Sequence, residues 1–330
     1  MGAMTVGTAY NSANLIGQGE ASFTIAKAVD GFINNLGTGS IVYGQQDHST
    51  NIEVTNSVIG GIAGGYANGG TICAGDIANP TYPYYGPIAS GYCTSGSILY
   101  SIGNGTFAHG VSTGNSALQA KGDSAIVVGH AESGSTLQTI GIGSFSSGYS
   151  TSGAVIGAQS DGSMVRGYGT ASGKIYTSGT GSTALGYVNS GVIYTSGAGS
   201  FAGGHNVGTG SISSIGMGSF SHGHAESTGI ITAPGMGAVA VGSAFGSNAI
   251  RSNGIGSFAA GGAIVNSVQA IGDSSVAMGD GVYASGRRSV AVGLSNSATA
   301  DDAIAIGQGC TVGGNNSVAL GYQNTASANT

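Results

Sequence analysis

The chain has 330 residues, of which 66 are glycine, and it carries 7 lysine plus arginine against 13 aspartate plus glutamate, for a formal net charge of −6. Because so few basic groups cannot neutralise a phosphate backbone, nucleic acid is excluded as an expected partner. No apolar run reaches the roughly 18 residues that a spanning helix needs, so we expect no membrane insertion by this segment. Apolar residues that return at fixed intervals also argue against disorder.

From the N-terminus one signature recurs, an apolar-small-apolar triplet that ends at a small residue, which we call the anchor. The anchors are Gly7, Ala26, Gly44, Gly65, Gly91, Gly110, Gly129, Gly148, Gly167, Gly186, Gly204, Gly223, Gly242, Gly261 and Gly279. Most intervals are 18 or 19 residues, and the two exceptions, of 21 and 26 residues, lie on either side of Gly65. Since Pro80 and Pro83 in the longer interval forbid a laddered strand, we predict a loop insertion near residues 79–85.

The last quarter of the chain repeats one 14-residue unit four times. The copies read SSVAMGDGVYASGR, RSVAVGLSNSATAD, DAIAIGQGCTVGGN and NSVALGYQNTASAN, with anchors at Gly279, Gly293, Gly307 and Gly321. Strict self-similarity at a short period is typical of a solenoid, in which each repeat buries its apolar face by stacking on the next. We predict an all-β fold, a single-chain parallel β-roll or β-solenoid of about eighteen coils. Long coils occupy 1–278 and short coils 279–330, in one continuous array.

Columns of like residues define the expected coil. The third residue before the anchor is apolar in all but one copy, from Met4 and Phe23 to Ile304 and Val318, and we predict that it forms the core. The residue after it is small and is expected on the opposite face of the same short strand. A second apolar column follows the anchor by seven or eight residues: Ile72, Ile98, Leu118, Leu137, Ile156, Ile175, Ile193, Ile212, Ile231, Ile250 and Val268. Each coil should contain two short strands joined by glycine-rich turns.

Such a roll is thin, and its thinness predicts that copies of the chain associate with one another. A core one side chain thick rarely outweighs the roughly 1–2 kcal/mol of backbone entropy that each ordered residue loses. We therefore expect one face of every roll to be buried on its copies, and a closed ring of three is the economical arrangement for a fibre. The predicted assembly is a homotrimer.

The short coils carry a resemblance. RSVAVGLSNSATAD and NSVALGYQNTASAN closely resemble the Asn-Ser-Val-Ala-Ile-Gly repeat of the YadA-like head domain of trimeric autotransporter adhesins, over about Asp273 to Asn329. The resemblance implies a left-handed parallel β-roll, three abutting or intertwined chains, and binding to a host surface protein, matrix protein or polysaccharide. It also implies a cell-surface or extracellular location, with outer-membrane anchoring in the full-length protein.

The sequence departs from that family in ways that keep a second interpretation open. Neither a neck, a heptad stretch nor a membrane anchor is found after the repeats, and MGAMTVGTAY contains no secretory signal. The same module could serve in a viral or phage fibre on a virion surface. An ice-binding solenoid is a further alternative, but it would need one threonine column, whereas Thr151, Thr170, Thr209 and Thr228 are scattered among other residues.

The residue directly after the anchor forms a partial ladder of aromatic and imidazole side chains. Its members are Tyr66, Tyr92, His130, Tyr149, Tyr168, Tyr187, His205 and His224. Repeated at one coil spacing, these side chains predict a stripe that binds sugars or a protein partner. The alternative is that stacked side chains only stabilise the edge of the solenoid.

Candidate metal ligands come from the histidines. His224 follows His205 in the same column, and His109 or His222 from three chains could meet on a threefold axis. The string GHAES occurs twice and supplies Glu132 and Glu226 as carboxylates that could support such a site. No organic cofactor is predicted. Separately, Arg166 lies beside Asp161 in its coil, and if buried it must pair or bind an anion.

Catalytic motifs lack their structural context. Gly110–Gly114 fits the Gly-x-Ser-x-Gly pattern, but no strand-turn-helix surrounds it, and no helix follows the glycine-rich strings that resemble nucleotide-binding motifs. Three cysteines, Cys73, Cys93 and Cys310, are an odd number in distant coils and do not suggest a disulfide framework. We predict that the protein is not an enzyme.

Overall fold

A computed structural model describes residues 2–9, 14–48, 51–55, 57–76 and 83–327. The chain divides into two compact units, 1–172 and 173–330, which are described separately. Over the described residues every regular element is a β-strand, and the strands pair in parallel along the array. The fold is an all-β parallel β-solenoid, as the repeats predict.

In the first unit, the strands that contain the anchors form what we call the anchor sheet. They are Met4–Ala9, Phe23–Ala28, Ile41–Asp47, Ile62–Asn68, Ile88–Thr94, Phe107–Ser112, Ile126–Ala131, Phe145–Ser150 and Met164–Thr170. The strands between them form the return sheet. They are Asn14–Gly17, Phe32–Asn35, Asn51–Val54, Thr71–Ala74, Ile98–Ser101, Ala117–Ala120, Thr136–Thr139 and Val155–Ala158.

The second unit has the same two sheets. Its anchor-sheet strands are Thr183–Asn189, Phe201–Gly208, Phe220–Ser227, Val239–Phe245, Phe258–Ala263, Val276–Asp280, Val290–Leu294, Ile304–Gln308 and Val318–Tyr322. Its return-sheet strands are Lys174–Thr177, Val192–Thr195, Ser211–Ser214, Ile230–Ala233, Ala249–Ser252, Val268–Ala270, Tyr283–Ala284, Ser297–Ala298, Thr311–Val312 and Thr325–Ala326. The return strands shorten to two residues where the coils shorten.

The anchors mark the pairing register of neighbouring strands in the anchor sheet. Gly129 pairs with Gly148 in the first unit and Gly223 with Gly242 in the second, so each anchor lies beside the anchor of the next coil. The coil length changes from long to short at Gly279, which pairs with Gly261 on one side and Gly293 on the other. The proposed division of the chain at residues 278 and 279 stays a prediction.

The predicted insertion near 79–85 falls largely on residues 77–82, which lie outside the described ranges. Of its remaining residues, Tyr84–Tyr85 forms a short parallel pair with Val58–Ile59. This pair belongs to neither of the two long sheets.

The core is a single column of large side chains on the return sheet. Ile33, Ile52, Ile72, Leu99, Leu118, Leu137 and Ile156 are fully buried in the first unit, and Ile175, Ile193, Ile212, Ile231 and Ile250 in the second. The second apolar column was therefore predicted correctly, with one exception. Ile98 is half-buried, and its neighbour Leu99 pairs with Ile72 in the core.

The other predicted core column was wrong, because it faces outward. Phe220 is 37% exposed and Val318 is 51% exposed, while Phe145 and Phe258 are only half-buried. The small residue after each of them faces the interior instead; from Thr24 and Val42 onward these positions are buried: Ala63, Ala89, Ala108, Val127, Ser146, Val165, Ala184, Ala202, Ser221, Ala240, Ala259, Ala277, Ala291, Ala305 and Ala319. Across so narrow a roll, the isoleucine of the return sheet leaves room only for a small side chain opposite.

Candidate functional site

The candidate binding ladder lies on the outer face of the anchor sheet. Side chains alternate along each strand, so the residue after the anchor faces the same way as the bulky residue three before it. Tyr92, Tyr168 and His205 are exposed, and the other predicted members are half-buried. The structure therefore brings these residues to one accessible face within each unit.

Within each unit the rings stack on their neighbours one coil away. In the first unit the ring centroids of Tyr66 and Tyr92 are 5.2 Å apart, and Tyr149 lies 4.8 Å from His130 and 5.0 Å from Tyr168. In the second unit the centroids of Tyr187 and His205 are 4.8 Å apart and those of His205 and His224 are 4.9 Å apart. All of these pairs are stacked except His130 and Tyr149, whose ring planes are tilted by 56°.

Stacking limits what the ladder can bind. A sugar ring or a flat partner needs an open ring face, and in these stacked pairs the faces already cover one another. What the ladder presents outward is ring edges, hydroxyl groups and ring nitrogens. The geometry supports a stabilising role for the ladder and restricts any binding role to polar contacts along its edge.

Carboxylates from the preceding coil hold two of the tyrosines. The Tyr66 hydroxyl donates to Asp47 Oδ2 at 3.0 Å, which raises the Tyr66 pKa. The Tyr149 hydroxyl donates to Glu132 Oε1, which also accepts from Thr151 at 3.1 Å. The hydrogen bond to Glu132 raises the pKa of Tyr149 to about 12 and lowers the pKa of the Glu132 carboxyl.

Acid should weaken this contact. Because the folded-state pKa of Glu132 lies below its ordinary value of about 4.3, the contact stabilises the fold above that value and is lost as the pH falls through the lowered pKa. We expect Tyr149→Phe to lower Tm at about pH 6 and to lower it less near pH 3. Tyr92→Phe is the control, since the described residues show no carboxylate bonded to Tyr92. An equal Tm difference at both pH values would contradict the assignment.

The histidines separate into one pair and several isolated side chains. His205 and His224 meet, with their Nδ1 atoms 3.1 Å apart. His109 is exposed and its Nδ1 contacts Ser90 Oγ at 2.9 Å, while exposed His222 lies near Phe220. Over the described part of the chain no group of three or more histidine, cysteine, aspartate or glutamate side chains is arranged to hold a metal. The placement of His109 or His222 on a threefold axis stays a prediction.

The condition under which Arg166 would have to pair or bind an anion is not met. The Arg166 side chain is exposed on the outer face of the anchor sheet, so burial does not require a counter-ion within one chain. Asp161 Oδ1 instead accepts from the backbone N–H of Ile142 in the preceding coil at 2.8 Å. Asp123 and Asp273 bond backbone N–H groups in the same way, so these carboxylates connect coils at the corner.

Sequence reasoning missed an apolar corner between the two sheets. In the second unit Met217, Met236 and Ile255 are 57%, 47% and 54% exposed on three successive coils. Ile142 is 58% exposed at the equivalent corner in the first unit. The signal was present, because each residue is flanked by two glycines just before an anchor-sheet strand. Each of these corner residues stands three positions before the bulky outward residue of the strand that follows.

Comparison with protein families gives a match to the YadA head domain repeat, in two copies over residues 284–309 and 313–330. Both copies lie in the short coils, where the parallel two-strand geometry described above is regular. Over these residues the short coils are similar to the YadA head repeat. No curated protein matches the chain. The YadA head is an adhesin-type structural domain and not an enzyme family.

In the YadA-like coils, polar side chains connect each coil to the next. Asn296 donates from Nδ2 to the carbonyl of Gly307 at 2.7 Å, and its Oδ1 accepts from the Cys310 N–H at 2.8 Å. On the surface, Arg288 forms a bidentate ion pair with Asp302. The buried asparagine satisfies backbone groups that a narrow interior cannot leave unpaired, whereas the exposed ion pair contributes little to stability.

Within the described ranges, no helical segment has the length and hydropathy that a membrane crossing requires.

Proposed function

We propose that the chain is a non-enzymatic head segment of a homotrimeric surface adhesin, an array of eighteen coils that presents a repetitive surface to a host protein or polysaccharide. The match of the short coils to the YadA head repeat carries the proposal. Such a head would lie at the cell surface. A viral or phage fibre would use the same architecture, and sequencing the full-length gene distinguishes the two, because only the adhesin encodes a stalk and a membrane anchor.

The apolar outer face of the anchor sheet supports the trimer. Each strand presents a bulky side chain three residues before its anchor, and many strands present a second one directly before it, such as Met278, Ile306 and Leu320. Exposed apolar surface that continues over many coils is typical of an interface rather than of a solvated face. Three copies that turn inward the part of this face that precedes the anchors would close a ring and supply the thickness that one roll lacks, with the ladder after the anchors at the rim of the interface.

The aromatic ladder gives a test of where the receptor binds. Serine at Tyr149, Tyr168 and Tyr187 should abolish binding to immobilised matrix proteins and polysaccharides if the ladder edge is the docking stripe, while the trimer mass is retained. Serine at Tyr176 and Tyr194, a pair of neighbouring rings on the return sheet, is the matched control. Unchanged binding by the ladder variant would remove the ladder from the proposal, and a single-chain mass for the unaltered protein would contradict the trimer.

A further inference from the structure

The imidazole pair of the second unit places two potential metal ligands side by side. His205 and His224 occupy paired positions on neighbouring strands, directly after their anchors. Their Nδ1 atoms face each other at 3.1 Å, and the ring planes are inclined by 29°. Two imidazole nitrogens at this separation need either a shared proton or a shared cation between them.

A carboxylate determines which nitrogen of His224 is free. Glu226 Oε2 lies 3.5 Å from His224 Nε2 on the other side of the ring. That contact favours a proton on Nε2 and leaves the Nδ1 lone pair directed toward His205. A ligating histidine whose second nitrogen donates to a carboxylate is the usual support for a protein metal site.

From this geometry we propose that His205 and His224 bind a divalent transition metal through their Nδ1 atoms, with Glu226 positioning His224. At a metal–nitrogen distance of about 2.0–2.1 Å, two imidazole nitrogens lie about 2.9 Å apart in a square arrangement and about 3.3 Å apart in a tetrahedral one. The observed 3.1 Å falls between these values. Cu²⁺, Ni²⁺ and Zn²⁺ all accept imidazole, and water completes the coordination of a two-histidine site.

The site is built within one chain and does not depend on the proposed trimer. It bridges two successive coils, so a bound metal joins them and stabilises the folded state by linkage. His205 is exposed and the His224 side chain is 36% exposed, so the pair is open to solvent in the single chain.

The chain contains its own control for this site. The string GHAES occurs also at residues 129–133, where His130 Nε2 lies 3.3 Å from Glu132 Oε2. The register neighbours of His130 are Val111 and Tyr149, so no second imidazole lies beside it. The GHAES string thus occurs once with a histidine on the neighbouring strand and once without.

The test is calorimetric titration of the full chain with NiCl₂ and with CuSO₄, combined with thermal denaturation. We expect a site of one metal per chain that raises Tm, and we expect His205→Tyr and His224→Tyr each to weaken it at least roughly tenfold, as loss of chelation requires. Tyrosine occupies the same column in other coils, so the stack is kept. Glu226→Gln should weaken binding by roughly tenfold with both imidazoles retained.

The control variant is His130→Tyr, which should leave the metal affinity unchanged. Equal affinity in His205→Tyr and the unaltered chain would overturn the proposal, as would an equal loss in His130→Tyr. A Tm that rises with metal equally in all variants would place binding elsewhere and would overturn it too. The oligomeric mass of the same samples reports separately on the trimer.

Discussion

Lysine in place of both Phe220 and Val239 is expected to leave the chain folded and to dissociate the proposed trimer into single chains. The two residues are register partners on successive coils, and both face outward on the anchor sheet. Burying unpaired ammonium groups between copies costs several kcal/mol each, whereas in a single chain they remain in water. We expect association to weaken by at least about 1000-fold, or about 4 kcal/mol. Sedimentation should report the 31.7 kDa of one chain in place of three times that mass.

The control for this experiment lies on the return sheet. Val192 and Ser211 are also register partners on successive coils and also face outward. Lysine at both should leave the trimer mass unchanged, because the proposal buries the anchor sheet. If the Phe220 and Val239 variant kept its trimer mass, the interface would have to lie on another face. If both variants dissociated, charge alone and not position would be the cause.

Alanine at Gly242 should be among the most damaging single substitutions in the chain. Gly242 has φ of +135°, in a region that residues with a side chain rarely adopt. A methyl group there would overlap the carbonyl oxygen of Gly261 in the next coil and lie 3.0 Å from its nitrogen. Backbone atoms of a paired strand cannot move aside without breaking the ladder, so we expect a loss of more than about 4 kcal/mol in the free energy of unfolding.

Gly237 is the matched control, five residues away in the same coil. Its φ is +64°, and a methyl group there would meet no atom within 4 Å. Alanine at Gly237 should therefore lower the free energy of unfolding by only about 1–2 kcal/mol, which is the strain of a residue in the left-handed region. Urea unfolding measures both, and hydrogen exchange should show the Gly242→Ala loss concentrated in the adjoining coils. If both variants lost the same free energy of unfolding, the close approach of the next coil would not be the reason that glycine is required at position 242.

The repeats made much of the fold predictable from the sequence. The anchor spacing shows the coil length directly, because each anchor must lie beside the next for the ladder to form. The return-sheet column, such as Leu137 and Ile212, was recognised because one large apolar residue per coil has no other place to go. Of the candidate binding site, the sequence predicted the ladder, but not that ring faces in it cover one another.

The direction of the anchor-sheet side chains could not be read in the same way. Period two predicts that Phe220 and Ser221 face opposite sides, yet it does not say which side is inside. Hydrophobicity alone predicts that Phe220 faces the interior, but the structure places Ser221 there. The histidine pair also could be predicted only in part. Because His205 and His224 share a column, the sequence predicts that they are close. It does not predict the 3.1 Å between their Nδ1 atoms or the carboxylate beside His224 Nε2.

The sequence by itself determined that the chain is a parallel solenoid with two strands per coil and a change of coil length at Gly279, because a repeat in sequence must be a repeat in space. Only the tertiary structure decided which column of the anchor sheet is interior. The width of the roll is set by how far apart the two sheets lie, and that distance admits an isoleucine against an alanine and not against a phenylalanine. The large side chains were therefore left on the outer face, where they are available to a second copy of the chain.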